Sequence, residues 1–279
     1  METDIFERGL TVDFAVRYML VDCTYIAQIA QQKHQFNVES AHVCTEGILA
    51  SYLLASHIKG EERLTIQLLS QEPKISFLSD ITASGEIRAK LTPLDLEKHP
   101  SILDGVIVVI KHNKEKELYR GVTDINACSI AKALQHNLSQ SEQVDTIVQF
   151  FISKDGDTIQ KAVGMLLERL PPTEDLPYLT TEEFYERYSE LTPEEMFEAI
   201  QKKKLRKSTL HDLETKDIHW KCRCSEEKVK AMLFSLGQAE LISIQKEIGF
   251  AEVTCHFCND CVIVSNNDLQ EMIERHSIS

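Results

Sequence analysis

The chain of 279 residues lacks any long hydrophobic run and any excess of positive charge. No apolar stretch approaches the roughly 20 residues that a membrane-spanning helix needs. The acidic start, METDIFERGL, lacks the basic and apolar regions of a signal peptide. The formal net charge of -14 repels phosphate backbones, and no locally basic domain offsets it. We therefore expect a cytoplasmic protein that binds neither a membrane nor nucleic acid.

Catalytic motifs are also missing from the sequence. No Ser-His-Asp or Cys-His arrangement, phosphate-binding glycine loop or pair of catalytic carboxylates stands out. The segment Ser141-Glu142-Gln143 indicates a polar helix end rather than catalytic residues. We therefore expect no enzyme activity. A hydrophobic content of 43% and a charged content of 27% are typical of a globular protein, so the chain should fold.

The eight cysteines are unevenly distributed. Cys23, Cys44 and Cys128 are scattered through apolar patterns and are expected to be small buried hydrophobic residues. The other five lie in two short motifs, WKCRCS at 220–225 and TCHFCNDC at 254–261. In a reducing cytosol, such clustering indicates metal binding or redox chemistry rather than a disulfide framework.

Four of the five clustered cysteines are enough for a tetrahedral metal site. Cys222, Cys224, Cys255 and Cys258 can supply four thiolates to one zinc ion, a borderline-soft and redox-inert metal that accepts sulfur. Four thiolates close the coordination sphere, whereas a catalytic zinc keeps an open position for water. The sequence therefore predicts a structural or redox-active zinc site and not a hydrolytic one.

The fifth cysteine leaves the ligand set open. Cys261 forms a second Cys-x-x-Cys with Cys258, and spacing alone does not exclude a site that uses this pair. We favour Cys255 with Cys258, because this pair then lies at the turn of a β-hairpin. Cys261 is then an alternative ligand or an extra thiol. His256 lies between two ligands, and we expect it to face solvent.

The segment upstream of the cysteines has an α+β pattern. Two helical patterns are predicted between Leu10 and Gly60, the second from about Glu39 to a left-handed cap at Gly60. Strand patterns follow in RLTIQLLS, KISFLSDI, EIRAKLTP and GVIVVIKHN. Helix is predicted again from Ile125, then the extended TIVQFFIS, then a helix in DTIQKAVGMLLERL that Pro171-Pro172 ends.

The next segment indicates a linker of marginal stability. PPTEDLP at 171–177 is the best linker in the sequence, and residues 174–198 carry nine acidic residues against one basic residue. The same segment has a thin apolar face, with caps at Thr180 or Thr181 and a second helix start at Thr192. The basic run KKKLRK follows at 202–207. A self-repelling segment with little to bury should fold only conditionally.

The C-terminal tail has the pattern of a small zinc module. Ser225 is expected to cap a helix that Gly237 closes, and a second helix ends at Gly249. Two short strands flank the second cysteine motif, and Asn267 or Asp268 is expected to cap a last helix. We predict an N-terminal α+β domain for substrate binding and dimerisation over 1–172, a metastable helical linker over 173–218 and a zinc-binding domain over 219–279.

These motifs together resemble those of the heat shock protein 33 family (33 kDa chaperonin). The resemblance rests first on Cys-x-Cys-Ser at Cys222, thirty intervening residues after Cys224, and Cys-x-Phe-Cys-Asn at Cys255. Upstream, ILASYLLASHIKGEERLTIQL, SQSEQVDT and GMLLERLPP are similar to family segments in the same order. The resemblance covers nearly the whole chain.

The resemblance implies a redox-regulated, ATP-independent holdase chaperone. The reduced form, with one zinc, would be compact and inactive. Oxidation would join Cys222 to Cys224 and Cys255 to Cys258, release zinc and unfold the tail and linker. The exposed surface would then bind unfolding client proteins, and the activated protein would be a homodimer.

The chain departs from the family pattern at three places. LLSQEPK lacks the usual glycine-rich turn, Arg88-Ala89-Lys90 stands where the family has Arg-Gly-Tyr, and Cys261 occupies a position that is not cysteine in the family.

Two other functions are weighed against the chaperone. A zinc-ribbon nucleic-acid protein needs a basic tail, yet residues 221–261 hold five basic and six acidic residues. A thiol oxidoreductase needs Cys-x-x-Cys at a helix start, whereas Cys255 and Cys258 lie between two predicted strands.

Overall fold

The computed structural model describes residues 4–11, 16–114, 116–142, 144–171, 179–201 and 214–276. The strands are β1 Ile5–Thr11, β2 Val16–Asp22, β3 Glu62–Glu72, β4 Ile75–Thr82, β5 Glu86–Thr92, β6 Leu103–Asn113, β7 Lys116–Cys128, β8 Thr146–Asp155, β9 Thr158–Arg169, β10 Glu214–Asp217, β11 His219–Trp220, β12 Ala251–Thr254 and β13 Cys261–Val264. The helices are α1 Thr24–His34, α2 Val38–Leu54, α3 Ile130–Glu142, α4 Thr181–Tyr188, α5 Pro193–Gln201, α6 Glu226–Phe234, α7 Gln238–Glu247 and α8 Asn266–His276.

The chain divides into two compact units, Met1–Lys221 and Cys222–Ser279. The first unit contains a five-stranded sheet in the order β10-β1-β2-β9-β8 and a six-stranded sheet in the order β11-β5-β4-β3-β6-β7. Pairing is antiparallel except between β11 and β5. The α+β class predicted from the sequence is confirmed. The finer division into 1–172, 173–218 and 219–279 stays a prediction.

Helix α2 forms the centre of the first unit. It contacts strands of both sheets, and buried residues lie on all of its faces. Gly47 allows the close approach to β4, because a Cβ there would lie 2.6 Å from the Phe77 ring. The helix ends at Leu54 and continues as a 3-10 turn to His57, so the end predicted at Gly60 is wrong. Gly60 instead has its positive φ of 59° in the turn before β3.

Two segments predicted as helix are strands. β2 replaces the first part of the helical pattern after Leu10, and β9 replaces the helix predicted in DTIQKAVGMLLERL. In β2, Met19 belongs to the core that holds α2, whereas Tyr18 and Leu20 belong to a second core on the other face. A strand buried on both faces loses the alternation of polar and apolar residues. The helix predicted from Ile125 starts only at Ile130, because β7 continues to Cys128.

The second core lies under α4 and α5. Apolar residues of β2, β8 and β9 pack there against residues of the two helices: Val16, Tyr18, Leu20, Ile147, Val163, Met165, Leu167, Leu179, Phe184, Tyr188, Met196 and Phe197. Thr180 caps α4 in a capping box with Glu183, and Thr192 forms the same arrangement with Glu195 at the start of α5. Most of PPTEDLP and all of KKKLRK lie outside the described residues.

The second unit has its own small core. The helices and the two-stranded sheet of β12 and β13 bury Val229, Leu233, Leu241, Ala251, Val264, Leu269, Met272 and Ile273. Ser225 caps α6 as predicted, accepting a hydrogen bond from the amide of Lys228. The last helix is capped by Ser265 rather than by Asn267 or Asp268, and Asp268 completes the cap by accepting from Ser265. None of the described helices combines the length and hydropathy needed to cross a membrane.

Candidate metal centre

Two short segments of the second unit bring four thiols together. Cys222 and Cys224 lie in the extended segment that leads into α6, and Cys255 and Cys258 lie in the turn between β12 and β13. The sulfur atoms of all four residues lie within 4.8 Å of one another. Among the described residues, this is the group of cysteines that can share one ion.

The turn between β12 and β13 is closed by two backbone hydrogen bonds. The amide of Cys255 donates to the carbonyl of Asp260 at 2.9 Å, and the amide of Asn259 donates to the carbonyl of Cys255 at 2.8 Å. Asn259 has a φ of 59°, which asparagine tolerates better than most residues. This tight turn presents the thiols of Cys255 and Cys258 on the same side as the first motif.

The sulfur spacing fits a tetrahedral ion. Four sulfurs at ~2.3 Å from zinc lie about 3.8 Å from each other. The Sγ atoms of Cys222 and Cys255 are 3.6 Å apart, and those of Cys224 and Cys258 are 3.3 Å apart. A soft, all-sulfur donor set suits zinc, and the thiols are already near their coordinating positions.

The pKa values of the clustered thiols differ from one another. Burial raises the pKa of Cys222, but hydrogen bonds from the backbone of Cys224 and from the other thiols outweigh burial and lower it to about 7. Burial raises the pKa of Cys224 to about 11 and raises the pKa of Cys258 well above its ordinary value. Without a metal, the cluster therefore favours the thiolate at Cys222 and the protonated thiol at Cys224 and Cys258.

Cys261 lies outside this group. It is exposed, begins β13 and pairs with Thr254 of β12. Partial desolvation by neighbouring atoms and the carboxylate of Glu252 raise the pKa of its thiol. The structure therefore does not bring Cys261 to the other four thiols, and His256 is exposed as expected. Cys255 and Cys258 lie at a hairpin and not at a helix start, which argues against the thiol oxidoreductase.

The other three cysteines belong to the first unit. Cys23 and Cys44 are buried in the main core of the first unit, as predicted, and Cys128 is half-buried beside it. Burial raises the pKa of Cys23 and Cys44 well above the ordinary value, so these thiols stay protonated and unreactive.

Comparison with known proteins agrees with the motifs. The family model described as Hsp33 protein matches residues 4–263. The chain belongs to the Hsp33 family. Curated relatives named 33 kDa chaperonin include those of Geobacillus sp. (strain WCH70) and Bacillus pumilus (strain SAFR-032), each 27% identical over 97% of this chain. The matches cover 97% and 98% of those relatives.

A solved structure supports the Hsp33 fold. The crystal structure of the 33 kDa chaperonin from Thermotoga maritima matches with a TM-score of 0.85 and 20% identity, over 100% of both chains. The fold of this Hsp33 protein is therefore that of a known family member. Membership in a chaperone family gives it a chaperone role.

Proposed function

We propose that this protein is an ATP-independent holdase that oxidation activates. In its reduced form one zinc ion binds Cys222, Cys224, Cys255 and Cys258, and the chaperone is inactive. The observation that carries this proposal is the closed cluster of four thiols in a small unit of its own. Such a cluster suits a stabilising and releasable metal, because no coordination position is left for a substrate.

The oxidation step balances without a further cofactor. Four zinc-bound thiolates form two disulfides and lose four electrons, which reduce two molecules of peroxide. The peroxide takes up four protons and becomes four molecules of water. The sulfurs of a disulfide no longer carry the charge that held the ion, so zinc leaves. The disulfides expected from the family are Cys222–Cys224 and Cys255–Cys258.

Loss of zinc should unfold the second unit. The unit has about 60 residues and a small apolar core, and domains of this size are marginal without a metal or disulfide. Structural zinc contributes on the order of 10–16 kcal/mol in small peptides. That contribution exceeds or matches the roughly 5–15 kcal/mol of net stability that a whole domain has.

The surface that binds clients is best supplied by the second core. Helices α4 and α5 cover an apolar sheet face that includes Tyr18, Leu20 and Met165. If the linker containing these helices detaches, that face becomes a large apolar patch, which is what an unfolding protein can bind. The same patch offers a surface for homodimer formation by the activated protein. A reducing compartment such as the cytoplasm would keep the protein in its resting state.

The test measures zinc and chaperone activity in one sample. The reduced, zinc-loaded protein is treated with peroxide under mild heat, or with hypochlorite. A chromogenic chelator then reports released zinc, and light scattering reports aggregation of an unfolding client without ATP. We expect about one zinc per chain to be released as aggregation becomes suppressed, and we expect reduction with added zinc to reverse both changes.

One control variant and one contrary outcome distinguish the switch from general chaperone activity. Cys128→Ser removes a half-buried thiol outside the cluster and should leave both responses unchanged. Suppression of aggregation that is equally strong in the reduced and oxidised protein would contradict the switch and leave an unregulated chaperone.

A further inference from the structure

The first unit contains a second group of metal-ligand side chains. His42, Glu46 and His99 each offer a ligand atom, and these atoms lie within 4.8 Å of one another. His42 and Glu46 are four residues apart in α2, so they share one face of the helix. His99 comes from the segment 93–102 that joins β5 to β6. None of these residues belongs to the thiol cluster.

The segment that carries His99 is tied to the start of α2. Asn37 Nδ2 donates to the carbonyl of Leu96 at 2.7 Å, and the amide of Leu96 donates to Ser40 Oγ at 2.9 Å. Ser40 Oγ in turn donates to the carbonyl of Pro93 at 3.2 Å. These bonds hold the segment against the first turn of α2, so His99 is positioned beside the next turns of the helix.

Glu39 lies close to the group but is paired with Lys154, so Glu46 is the carboxylate available to the two histidines. Lys154 Nζ lies 3.0 Å from both carboxylate oxygens of Glu39, one turn before His42. Glu39 is therefore already neutralised by a cation, and it in turn neutralises Lys154. The free negative charge beside the two imidazoles is that of Glu46, which is 15% exposed.

The spacing fits two coordinated side chains. Ligands at ~2.0 Å from a tetrahedral ion lie about 3.3 Å from each other. The Nε2 atom of His99 and the Oε2 atom of Glu46 are 3.1 Å apart, and the rings of His42 and His99 have centroids 4.0 Å apart. Two imidazoles and one carboxylate suit zinc and its first-row neighbours, whereas calcium and magnesium prefer oxygen alone.

His42 is the residue that a simple ion pair does not explain. A hydrogen bond between His99 and Glu46 accounts for those two side chains and needs no third group. The Nδ1 atom of His42 is buried and has no hydrogen-bond partner among the described residues. A buried imidazole nitrogen without a partner is unfavourable. Coordination to a cation would give the His42 ring a partner next to the carboxylate.

We propose that His42, Glu46 and His99 form a second metal site, which takes one divalent first-row transition-metal ion such as Zn²⁺. The three side chains are half-buried, so an ion can enter and a water molecule can complete its coordination. A bound ion would link α2 to the segment before β6, far along the chain from the thiol cluster. The site differs from the cysteine site in its donors, because it contains no sulfur.

The test uses Co²⁺ as a spectroscopic probe on the untagged, reduced, metal-free full chain. The first equivalent should enter the thiol cluster and give intense sulfur-to-metal charge-transfer absorption. A second equivalent should add only weak d–d absorption. His42→Gln/His99→Gln should lose the second equivalent and keep the first. Cys222→Ser/Cys255→Ser should lose the charge-transfer absorption and keep the second site, which separates this site from the redox switch.

His136→Gln is the matched control, because His136 is an exposed histidine of α3 outside the group. It should keep both equivalents. The single variant His99→Gln changes only one half-buried residue, so it is less prone to misfold than the double variant. Circular dichroism checks that it folds like the wild type. When Zn²⁺ is added beyond the one equivalent that fills the thiol cluster, the unfolding temperature should rise further in the wild type and not in His99→Gln. A wild type that binds one Co²⁺, or a double variant that binds two with unchanged spectra, overturns the proposal.

Discussion

Cys261 differs from the four neighbouring cysteines in both position and ionisation. Its thiol is exposed on β13, whereas Cys258 is 1% exposed and the others are half-buried. The carboxylate of Glu252 opposes its ionisation, since a thiolate there would face a like charge. Ligation needs a thiolate, so Cys261 is a poor candidate for the metal and remains as an additional thiol.

We predict that Cys261→Ser leaves zinc binding unchanged. The reduced variant should carry about one zinc per chain, like the wild type, because its four clustered thiols are intact. Cys255→Ser should lose most of its zinc affinity, because three thiolates and a hydroxyl replace four thiolates. The measurement is the zinc content of dialysed protein. Loss of zinc from Cys261→Ser, with retention in Cys255→Ser, would assign the Cys258–Cys261 pair to the metal.

The pairing of the disulfides is a second prediction about individual residues. The closest sulfurs in the reduced cluster belong to different motifs, Cys222 with Cys255 and Cys224 with Cys258. We nevertheless expect Cys222–Cys224 and Cys255–Cys258 after oxidation. Each motif places its two cysteines within three positions of each other, so a bond between them closes the shortest loop and has the lowest loop-closure cost.

Peptide mapping of the oxidised protein by mass spectrometry distinguishes the two pairings. The Cys261→Ser background removes the additional thiol and prevents exchange with Cys258. Cross-motif disulfides in that background would contradict the expected pairing and would mean that both bonds form in the folded cluster, because only the folded cluster keeps Cys222 next to Cys255.

At the scale of elements, α1 depends on a carboxylate from the residue just before β1. Asp4 is buried, and its two oxygens accept hydrogen bonds from the amides of Tyr25 and Ile26 at 2.9 and 2.6 Å. Cys23, at the N-cap position, supplies no side-chain hydrogen bond. Burial raises the pKa of Asp4 to about 6, against the opposing effect of these two amides. The folded protein therefore keeps the Asp4 proton where the unfolded chain has released it.

This raised pKa predicts a pH dependence of stability. The contribution of Asp4 to the free energy of unfolding is fully present below its unfolded pKa of 3.8. This contribution is lost as the pH rises through about 6, the pKa of Asp4 in the folded protein. Asp4→Asn cannot titrate, so the free energy of unfolding of the wild type should fall relative to that of the variant over this range. Urea unfolding followed by the single tryptophan, Trp220, measures both proteins. Parallel pH profiles would contradict the raised pKa.

The caps of α4 and α5 predict how easily the linker detaches. Thr192→Ala removes the hydroxyl that accepts from the amide of Glu195, which should cost about 1 kcal/mol. Weaker docking of α5 should let a lower dose of oxidant activate the chaperone. Thr158→Ala is the matched control, because Thr158 is an exposed strand residue without a capping role. An unchanged oxidant dose in Thr192→Ala would separate α5 from activation.

Strands with one exposed face could be predicted from the alternation of their residues. β3 and β5 alternate between buried and less buried residues, and the sequence pattern identifies both as strands. β9 is buried on both faces, so its Met, Leu and Glu residues produce a pattern that is typical of a helix. The grouping of Cys222, Cys224, Cys255 and Cys258 could be predicted because the cysteines of each motif are close in sequence. His99 lies too far from His42 in sequence for any spacing rule to connect them.

At the scale of the whole molecule, the two units should respond differently to zinc removal. The second unit is proposed to depend on the ion, whereas the first has a large core without any metal ligand from the thiol cluster. A chelator acting on the reduced protein should therefore make residues 222–279 sensitive to protease and leave the first unit resistant. Limited proteolysis with peptide identification measures this difference.

Trp220 reports whether unfolding crosses the boundary between the units. It lies two residues before Cys222, yet its strand β11 pairs with β5, and the amide of Lys221 donates to the carbonyl of Ile87 at 2.8 Å. These bonds need no zinc, so chelation should leave the tryptophan emission maximum unchanged while the second unit unfolds. A shift to longer wavelength on chelation alone would mean that zinc also stabilises β11. Heat and oxidant are proposed to detach the linker. A shift of the emission maximum under those conditions, but not on chelation, would mean that the linker is released after zinc is lost.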